Sequence, residues 1–425
     1  MGEIGFLNGL KLIGLAVIFI MVFSLWCGLG VKPAHAVRSQ PAPKRVTLVS
    51  PNPVAYVPYW VSGGQYGQTV AWGRNYIFVH GEENFYVYNA IGKVLVKTIV
   101  GSTIAIGSEY VAIGDPDYFS RSGKVDVYRL NNLNKIVATL TAPEENHFGF
   151  GLSIAINDDK MLISDIGAVS GENPFSGDVY VYSIPSFSYI TKLDQMNPER
   201  AYGSPFGSSV AFCGNHIVVG APDQTVNGAI FAGNVYLYSS ETYALEKTIP
   251  DPQADAEATP WGQFGDSIAV ADDNIWISEK GFVYPGTGAG GEIGWAGKVY
   301  CYNPNGEQVR TLTSQNPSLN GFFGWSLAAN DDYVMVGASG ESVDVTDGAE
   351  STTIPNAGQV YVFTASGTYL RTLISLNPQV AGLFGFSVAF GSGYYVVGAR
   401  DENATVRYRS TIQIYNRAGV AYILS

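Results

Sequence analysis

Acidic side chains concentrate in one stretch of the chain, where Glu341, Asp344, Asp347 and Glu350 follow one another closely. Carboxylate oxygens are ligands that calcium prefers, and a calcium ion takes about six to eight oxygens. The spacing of the four residues matches no known calcium loop, so a solvated acidic loop is the favoured interpretation. An irregular calcium site in the long loops remains the alternative, and no other cofactor is predicted.

Histidine, the most common general base in enzymes, occurs only four times, at His35, His80, His147 and His216. None of them is spaced with a nucleophile or with a carboxylate in a way that indicates a catalytic group. His80 and His216 lie in or beside apolar runs that are typical of strands, where a structural role is the simpler interpretation. No catalytic residue is therefore predicted.

A sequence repeat covers most of the chain. A Ser or Thr, any residue and an Ala recur seven times, and a Gly stands two residues before the hydroxyl residue in each copy. These seven glycines are Gly67, Gly101, Gly151, Gly207, Gly265, Gly324 and Gly385. A supersecondary unit repeated at a period of about 50 to 60 residues indicates a repeat fold.

Each copy opens a pattern of four strands. The Ser-x-Ala segment, a turn of Gly, Asn or Asp, and a second apolar run that ends in Gly-Ala together predict a hairpin. A third run with alternating aromatics follows, as in residues 235–238, and then a more polar fourth run. In the last copy the third strand is predicted at residues 412–415. The pattern predicts an all-β fold, a seven-bladed β-propeller of four-stranded antiparallel blades, over residues 57–425.

The Phe-Gly and Gly-Ala signatures carry a family resemblance. Residues 206–222 and 384–399 match best, while the first two copies have Tyr66-Gly67 and Val100-Gly101 in place of Phe-Gly. The chain resembles the FG-GAP repeat propellers of integrin α subunits and of secreted microbial proteins. In the integrin type, calcium is held between the first two strands of a repeat. Here that link is only a tight turn, as in Asp158-Asp159, so the resemblance is closest to the microbial repeats without the calcium loop.

The N-terminal segment predicts export. Residues 12–31 carry no charge and precede Ala34-His35-Ala36, a cleavage signal, which indicates a signal peptide over residues 1–36. An uncleaved membrane anchor, formed by the same apolar helix, is the alternative. The expected location is therefore secreted, extracellular or at the cell surface, and contact with a membrane is expected only if the segment is retained.

Residues 37–56 are predicted to form a linker that includes a possible ring-closing strand. Residues 45–49 resemble another outer strand, and they are expected to pair beside a C-terminal strand at residues 421–424.

One face of the predicted propeller carries the long connections. Because the strands of a blade alternate in direction, the loops between second and third strands emerge on the same face as the links between blades. Aromatic and acidic residues on such loops suit a protein or glycan ligand. The predicted ligand-binding residues are Asp223, Trp261, Tyr284, Trp295, Asp344, Asp347 and Asp401. Trp261 and Trp295 have a second interpretation, in which each plugs a space between blades.

The predicted function is a secreted or surface-displayed propeller that binds or adheres without catalysis. The formal net charge of −12 repels phosphate backbones, so no nucleic-acid partner is expected. Two alternatives remain open: a propeller enzyme that acts on polysaccharide, and a structural appendage subunit of a virus or a cell surface.

Overall fold

The computed structural model describes residues 46–49, 65–117, 122–144, 148–168, 176–193, 206–254, 261–285, 291–347, 350–408, 411–415 and 417–425. The chain divides into two units, Met1–Pro43 and Lys44–Ser425, and all of the described residues belong to the second. The predicted signal peptide or anchor, with its apolar helix, lies outside the described residues. Within the described residues every regular element is a β-strand, and none of their segments is a helix that could cross a membrane.

Each of the first four blades is formed by four strands that are consecutive in the chain. Blade 1 contains β2 (Val70–Gly73), β3 (Tyr76–Gly81), β4 (Asn84–Asn89) and β5 (Leu95–Val100). Blade 2 contains β6 (Thr103–Ile106), β7 (Tyr110–Asp115), β8 (Lys124–Arg129) and β9 (Asn132–Leu140). Blade 3 contains β10 (Phe150–Ile156), β11 (Lys160–Asp165), β12 (Asp178–Ser183) and β13 (Tyr189–Leu193). Blade 4 contains β14 (Ser209–Cys213), β15 (His216–Ala221), β16 (Asn234–Ser239) and β17 (Leu245–Pro250).

The last three blades follow the same antiparallel plan, and two of them carry an inserted hairpin. Blade 5 contains β18 (Phe264–Ala271), β19 (Asn274–Glu279), β20 (Lys298–Tyr302) and β21 (Gln308–Leu312). Blade 6 contains β22 (Phe323–Ala329), β23 (Tyr333–Ala338), β26 (Gln359–Thr364) and β27 (Tyr369–Ile374), with the hairpin β24 (Val343–Asp347) and β25 (Glu350–Ile354). Blade 7 contains β28 (Phe384–Phe390), β29 (Tyr395–Ala399), β32 (Val420–Leu424) and β1 (Val46–Val49), with the hairpin β30 (Ala404–Tyr408) and β31 (Thr411–Tyr415).

Blade 7 joins the two ends of the propeller chain. Its outer strand β1 comes from the N-terminal side and pairs antiparallel with β32, with Val46 opposite Ile423 and Val49 opposite Val420. The sequence predicts this pairing. Because the last blade takes its outermost strand from the start of the chain, backbone hydrogen bonds hold the first and last segments together.

The third strand of blade 7 is β32, and the prediction of residues 412–415 for that position is wrong. Those residues lie in β31, which pairs with β30 in a separate two-stranded hairpin. The alternation of residues 411–415 fits a third strand, and the apolar run of residues 420–424 fits one as well, so composition alone does not assign the position. The distinguishing signal is Ala418-Gly419, because an Ala-Gly pair also precedes the third strand in blades 4, 5 and 6.

The Ser of the Ser-x-Ala signature links neighbouring blades. In blade 7, Ser387 Oγ donates a hydrogen bond of 2.8 Å to the carbonyl oxygen of Gly67, in the Tyr-Gly pair that opens blade 1. The same bond runs from Ser209 to Gly265 and from Ser326 to Gly385. From the sequence, the small Ser and Ala residues of the signature are expected only to leave space for the next blade. The structure adds a directional bond, worth about 1 kcal/mol each.

The aromatic residue of the Phe-Gly signature forms the core between blades. Phe206, Phe264, Phe323 and Phe384 have no solvent exposure. Each ring packs on the first tyrosine of its own third strand, as in Phe264 and Tyr300, whose centroids are 5.6 Å apart. Burying a ring of this size removes a large apolar surface from water, and the repeated Phe therefore stabilises every junction that contains it.

Candidate ligand-binding face

The long second-to-third-strand loops and the links between blades meet on one face, as the strand directions require. We call this surface the long-loop face. A stacked aromatic contact on this face joins Phe231, in the loop of blade 4, to Trp261, in the link from blade 4 to blade 5. The two rings are stacked, with centroids 4.3 Å apart and an interplanar angle of 26°.

Backbone hydrogen bonds hold this loop and this link together. Three amides of the link donate to three successive carbonyls of the loop: Trp261 N to Ile230 O (3.0 Å), Gln263 N to Phe231 O (2.9 Å) and Phe264 N to Ala232 O (2.8 Å). We call this three-bond arrangement a junction platform. It fixes the backbone under the aromatic pair, so the side chains above it are presented on a rigid base.

The same junction platform recurs at the next two junctions. Between blades 5 and 6 the bonds run from Asn320, Phe322 and Phe323 to Gly294, Trp295 and Ala296. Between blades 6 and 7 they run from Ala381, Leu383 and Phe384 to Pro355, Asn356 and Ala357. One backbone arrangement therefore carries Trp261, Asn320 or Ala381 at the same position. A constant scaffold with variable side chains is typical of recognition surfaces.

Trp261 is the unusual residue of the three. All three positions have left-handed backbone, with φ of 87° at Trp261 and 56° at both Asn320 and Ala381. A bulky residue rarely adopts this conformation, and such strain costs on the order of 1 to 3 kcal/mol. The side chain is also 43% exposed, so burial of the ring offsets little of that strain. Its exposure also argues against the interpretation in which Trp261 plugs the space between blades. A strained, exposed aromatic side chain is the feature expected of a binding residue.

A close backbone approach supports this conformation. A Cβ atom added to Gly281 would lie 1.7 Å from the carbonyl oxygen of Trp261. Only glycine therefore fits beside the strained residue.

Polar groups surround the stacked pair. Gln263 Nε2 donates to Asp223 Oδ1 at 2.9 Å, so a residue of the link is tied to the loop of blade 4. Burial raises the pKa of the Asp223 carboxyl, and the bond from Gln263 opposes this shift. Nearby, Lys280 Nζ lies 2.7 Å from Asp266 Oδ1. The surroundings of the stack thus offer an amide, carboxylates and an ammonium group as hydrogen-bonding partners for a polar ligand.

A row of cations and aromatic rings continues from Lys280 toward blade 7. Lys280 Nζ lies 5.1 Å from the Trp325 ring centroid, and the Trp325 and Phe386 centroids are 5.1 Å apart. Arg400 Cζ lies 4.8 Å from the Phe386 centroid. Trp325 and Phe386 each follow a Phe-Gly pair, so the repeat places both at the start of a first strand. We call Lys280, Trp325, Phe386 and Arg400 the cation–aromatic row.

The other predicted site residues are spread over the long-loop face rather than gathered. Trp295 is half-buried and lies edge-on to Phe322 at 5.9 Å. Tyr284 forms an isolated bridge with Ile293 inside its own loop. Asp401 is buried in an ion pair with Arg417 at 2.7 Å.

The acidic stretch of blade 6 is not one solvated loop. Glu341 is fully buried and accepts a bond of 2.5 Å from Tyr361, so its assignment to a solvated loop is wrong. Asp344 is exposed and accepts a hydrogen bond from Thr353 within the inserted hairpin, and Asp347 ends β24. Within the described ranges, no three acidic, His or Cys residues are grouped closely enough to hold a metal ion.

Glu341 belongs to a buried network that recurs in blade 7. Tyr361 donates to Glu341 and accepts a bond of 3.1 Å from Ser314 Oγ. In blade 7 the corresponding group is Glu402, Tyr422 and Ser375. Burial raises the pKa of each glutamate to about 7. Because both carboxyls are shielded from solvent, they position the loops rather than contact a ligand.

Described residues also line cavities away from the long-loop face, toward the opposite, short-turn face. One of about 470 Å³ lies between blades 2 and 3, where Glu109 pairs with Arg129 at 3.1 Å and Ser108 donates to Asp158 at 2.7 Å. Another, of about 290 Å³, lies between the first strands of blades 1, 2, 5, 6 and 7 and is lined by residues such as Trp72 and Phe390. Neither cavity was predicted from the sequence.

Sequence reasoning missed Phe231, Gln263, Lys280, Trp325, Phe386 and Arg400 as residues of the long-loop face. Superposing the repeats by their Phe-Gly pairs would have marked Trp325 and Phe386 as equivalent. The fold and this face define the class of the molecule as a seven-bladed β-propeller with repeated junction platforms. Comparison with protein-family models and with curated proteins finds no match for the chain.

Proposed function

We propose that the protein is a secreted or surface-displayed propeller that binds a glycan through its long-loop face, without catalysis. The observation that carries this proposal is Trp261, which is exposed, strained and stacked on Phe231. The carbon-bound hydrogens of a sugar ring pack on such an aromatic face, while hydroxyl groups need hydrogen-bond partners beside it. Asp223 and Gln263 supply those partners.

The repeat signatures support membership in the FG-GAP propellers, in the form without the calcium loop. Residues 1–36, with their uncharged run and their Ala34-His35-Ala36 site, support export with cleavage after Ala36. An exported propeller with one rigid, varied loop face is well suited to adhesion or to surface recognition.

The chain itself provides the matched variant that tests the proposal. Asn320 occupies the Trp261 position on the neighbouring junction platform with φ of 56°, so Trp261→Asn places a tolerated residue on the same backbone. Asparagine adopts left-handed backbone more readily than tryptophan, and the variant should fold at least as stably as the wild type. Ala381→Asn, at the third junction platform, is the control.

Binding to a broad glycan array measures the outcome. We expect Trp261→Asn to weaken glycan binding at least tenfold while the melting temperature is maintained, and Ala381→Asn to bind as the wild type does. Full binding by a folded Trp261→Asn variant would refute the proposal. Release of reducing sugar from a bound polysaccharide would instead favour the enzyme alternative.

A further inference from the structure

We infer that the ligand is an acidic glycan and that Arg400 binds a carboxylate of one of its sugars, an inference that rests on the proposed function. The site is the blade 7 end of the cation–aromatic row. Its ligand class is a polysaccharide in which neutral sugars separate the carboxylate-bearing ones, such as hyaluronate.

Arg400 is a cation that an aromatic ring holds in place and that has no counterion among the described residues. Its guanidinium lies over the Phe386 ring, which packs in turn on Trp325. Among the described residues no carboxylate pairs with Arg400, and its buried Nε atom has no hydrogen-bond partner. A guanidinium ordered on an aromatic face loses little freedom when a carboxylate binds, and arginine matches carboxylate geometry well.

The neighbouring cations are already neutralised. Lys280 pairs with Asp266, and Arg417 pairs with Asp401, each at 2.7 Å. Arg400 is therefore the uncompensated charge of the row. A single positive group suits a sugar with one carboxylate, whereas a densely charged polyanion would be repelled by the net charge of −12.

The repeat again supplies a matched variant. Ser339 of blade 6 occupies the position of Arg400 in blade 7, because both follow the Gly-Ala pair that ends a second strand. Arg400→Ser thus installs a residue that the fold already accepts at this position. Arg400→Lys keeps the charge but removes the planar donor group, and it serves as a second variant.

The probes are hyaluronate and partly methyl-esterified pectin, both of which carry separated carboxylates, each compared with its carboxyl-reduced form by affinity electrophoresis. We expect the wild type to bind at least one acidic polymer about tenfold more tightly than the reduced polymer. Arg400→Ser should lose this preference and leave binding of the reduced polymer unchanged, and Arg400→Lys should retain part of it. The preference of the wild type should also decrease as salt is added.

The controls separate this inference from the proposed function. Trp261→Asn should weaken binding of the acidic and the reduced polymer alike, because it removes the stacking surface. If Arg400→Ser keeps the acidic preference, or the wild type shows none, the acidic-glycan inference is overturned while loss of binding in Trp261→Asn still supports glycan binding. If the wild type binds no acidic polymer, the inference is also overturned, and the glycan array decides the proposed function.

Discussion

Replacing Glu402 by Gln should remove a pH-dependent loss of stability. Glu402 is 1% exposed, and its carboxyl accepts hydrogen bonds from Tyr422 and Ser375. Burial raises its pKa from 4.5 to about 7. In blade 4 the equivalent residue is Gln224, whose Oε1 accepts a bond of 2.6 Å from Tyr236. Glu402→Gln therefore copies a neutral arrangement that another blade already uses.

The sign of the effect follows from proton binding. A buried carboxyl with a raised pKa keeps its proton longer in the folded chain than in the unfolded chain. Its stabilising contribution is therefore fully present below about pH 4.5 and is lost as the pH rises through about 7. A shift from 4.5 to about 7 corresponds to roughly 3 kcal/mol of unfolding free energy at most.

Urea unfolding at pH 5 and at pH 8 measures this contribution. The free energy of unfolding of Glu402→Gln relative to the wild type should rise by about 2 to 3 kcal/mol between the two pH values. Comparing the variant with the wild type at each pH cancels the contributions of the other titrating groups, because both proteins contain them. A difference that stays constant with pH would show that Glu402 has an ordinary pKa and would refute the argument.

Two further predictions concern the contacts between blades. Ser387→Ala should lower the free energy of unfolding by about 1 kcal/mol in urea titrations, because it removes the bond to the Gly67 carbonyl, and no change would show that the bond is not stabilising. Gly398→Ala should cost several times more, since its Cβ would lie 1.9 Å from the same carbonyl oxygen, and a wild-type melting temperature would contradict the predicted close packing.

Much of the fold could be predicted from the sequence because the first two strands of each blade form a short hairpin of regular length. Its signature residues contact the next blade directly, so the chain repeats them. The third strand of blade 7 could not be assigned in the same way. Residues in β31 alternate as a third strand is expected to, and apart from the Ala418-Gly419 pair the feature that separates an inserted hairpin from a blade strand is its pairing partner, which is not local.

The sequence predicted residues of the candidate site only where they lie in long connections between strands. Trp261 and Asp223 stand in long connections, and the structure brings both to one junction. Arg400 directly follows a strand, and its importance depends on Phe386 in the neighbouring first strand. Glu341 looked solvated because acidic residues follow it, whereas a tyrosine from the third strand buries it.

Hydroxyl-radical footprinting with and without bound glycan tests most directly which face binds. Trp261 and Phe231 lie on the long-loop face, and the partly exposed Trp72 and Tyr394 stack on each other on the short-turn face. Glycan should protect Trp261 and Phe231 from oxidation and leave Trp72 and Tyr394 unchanged. Protection of Trp72 or Tyr394, with Trp261 oxidised as in the free protein, would contradict binding at the long-loop face.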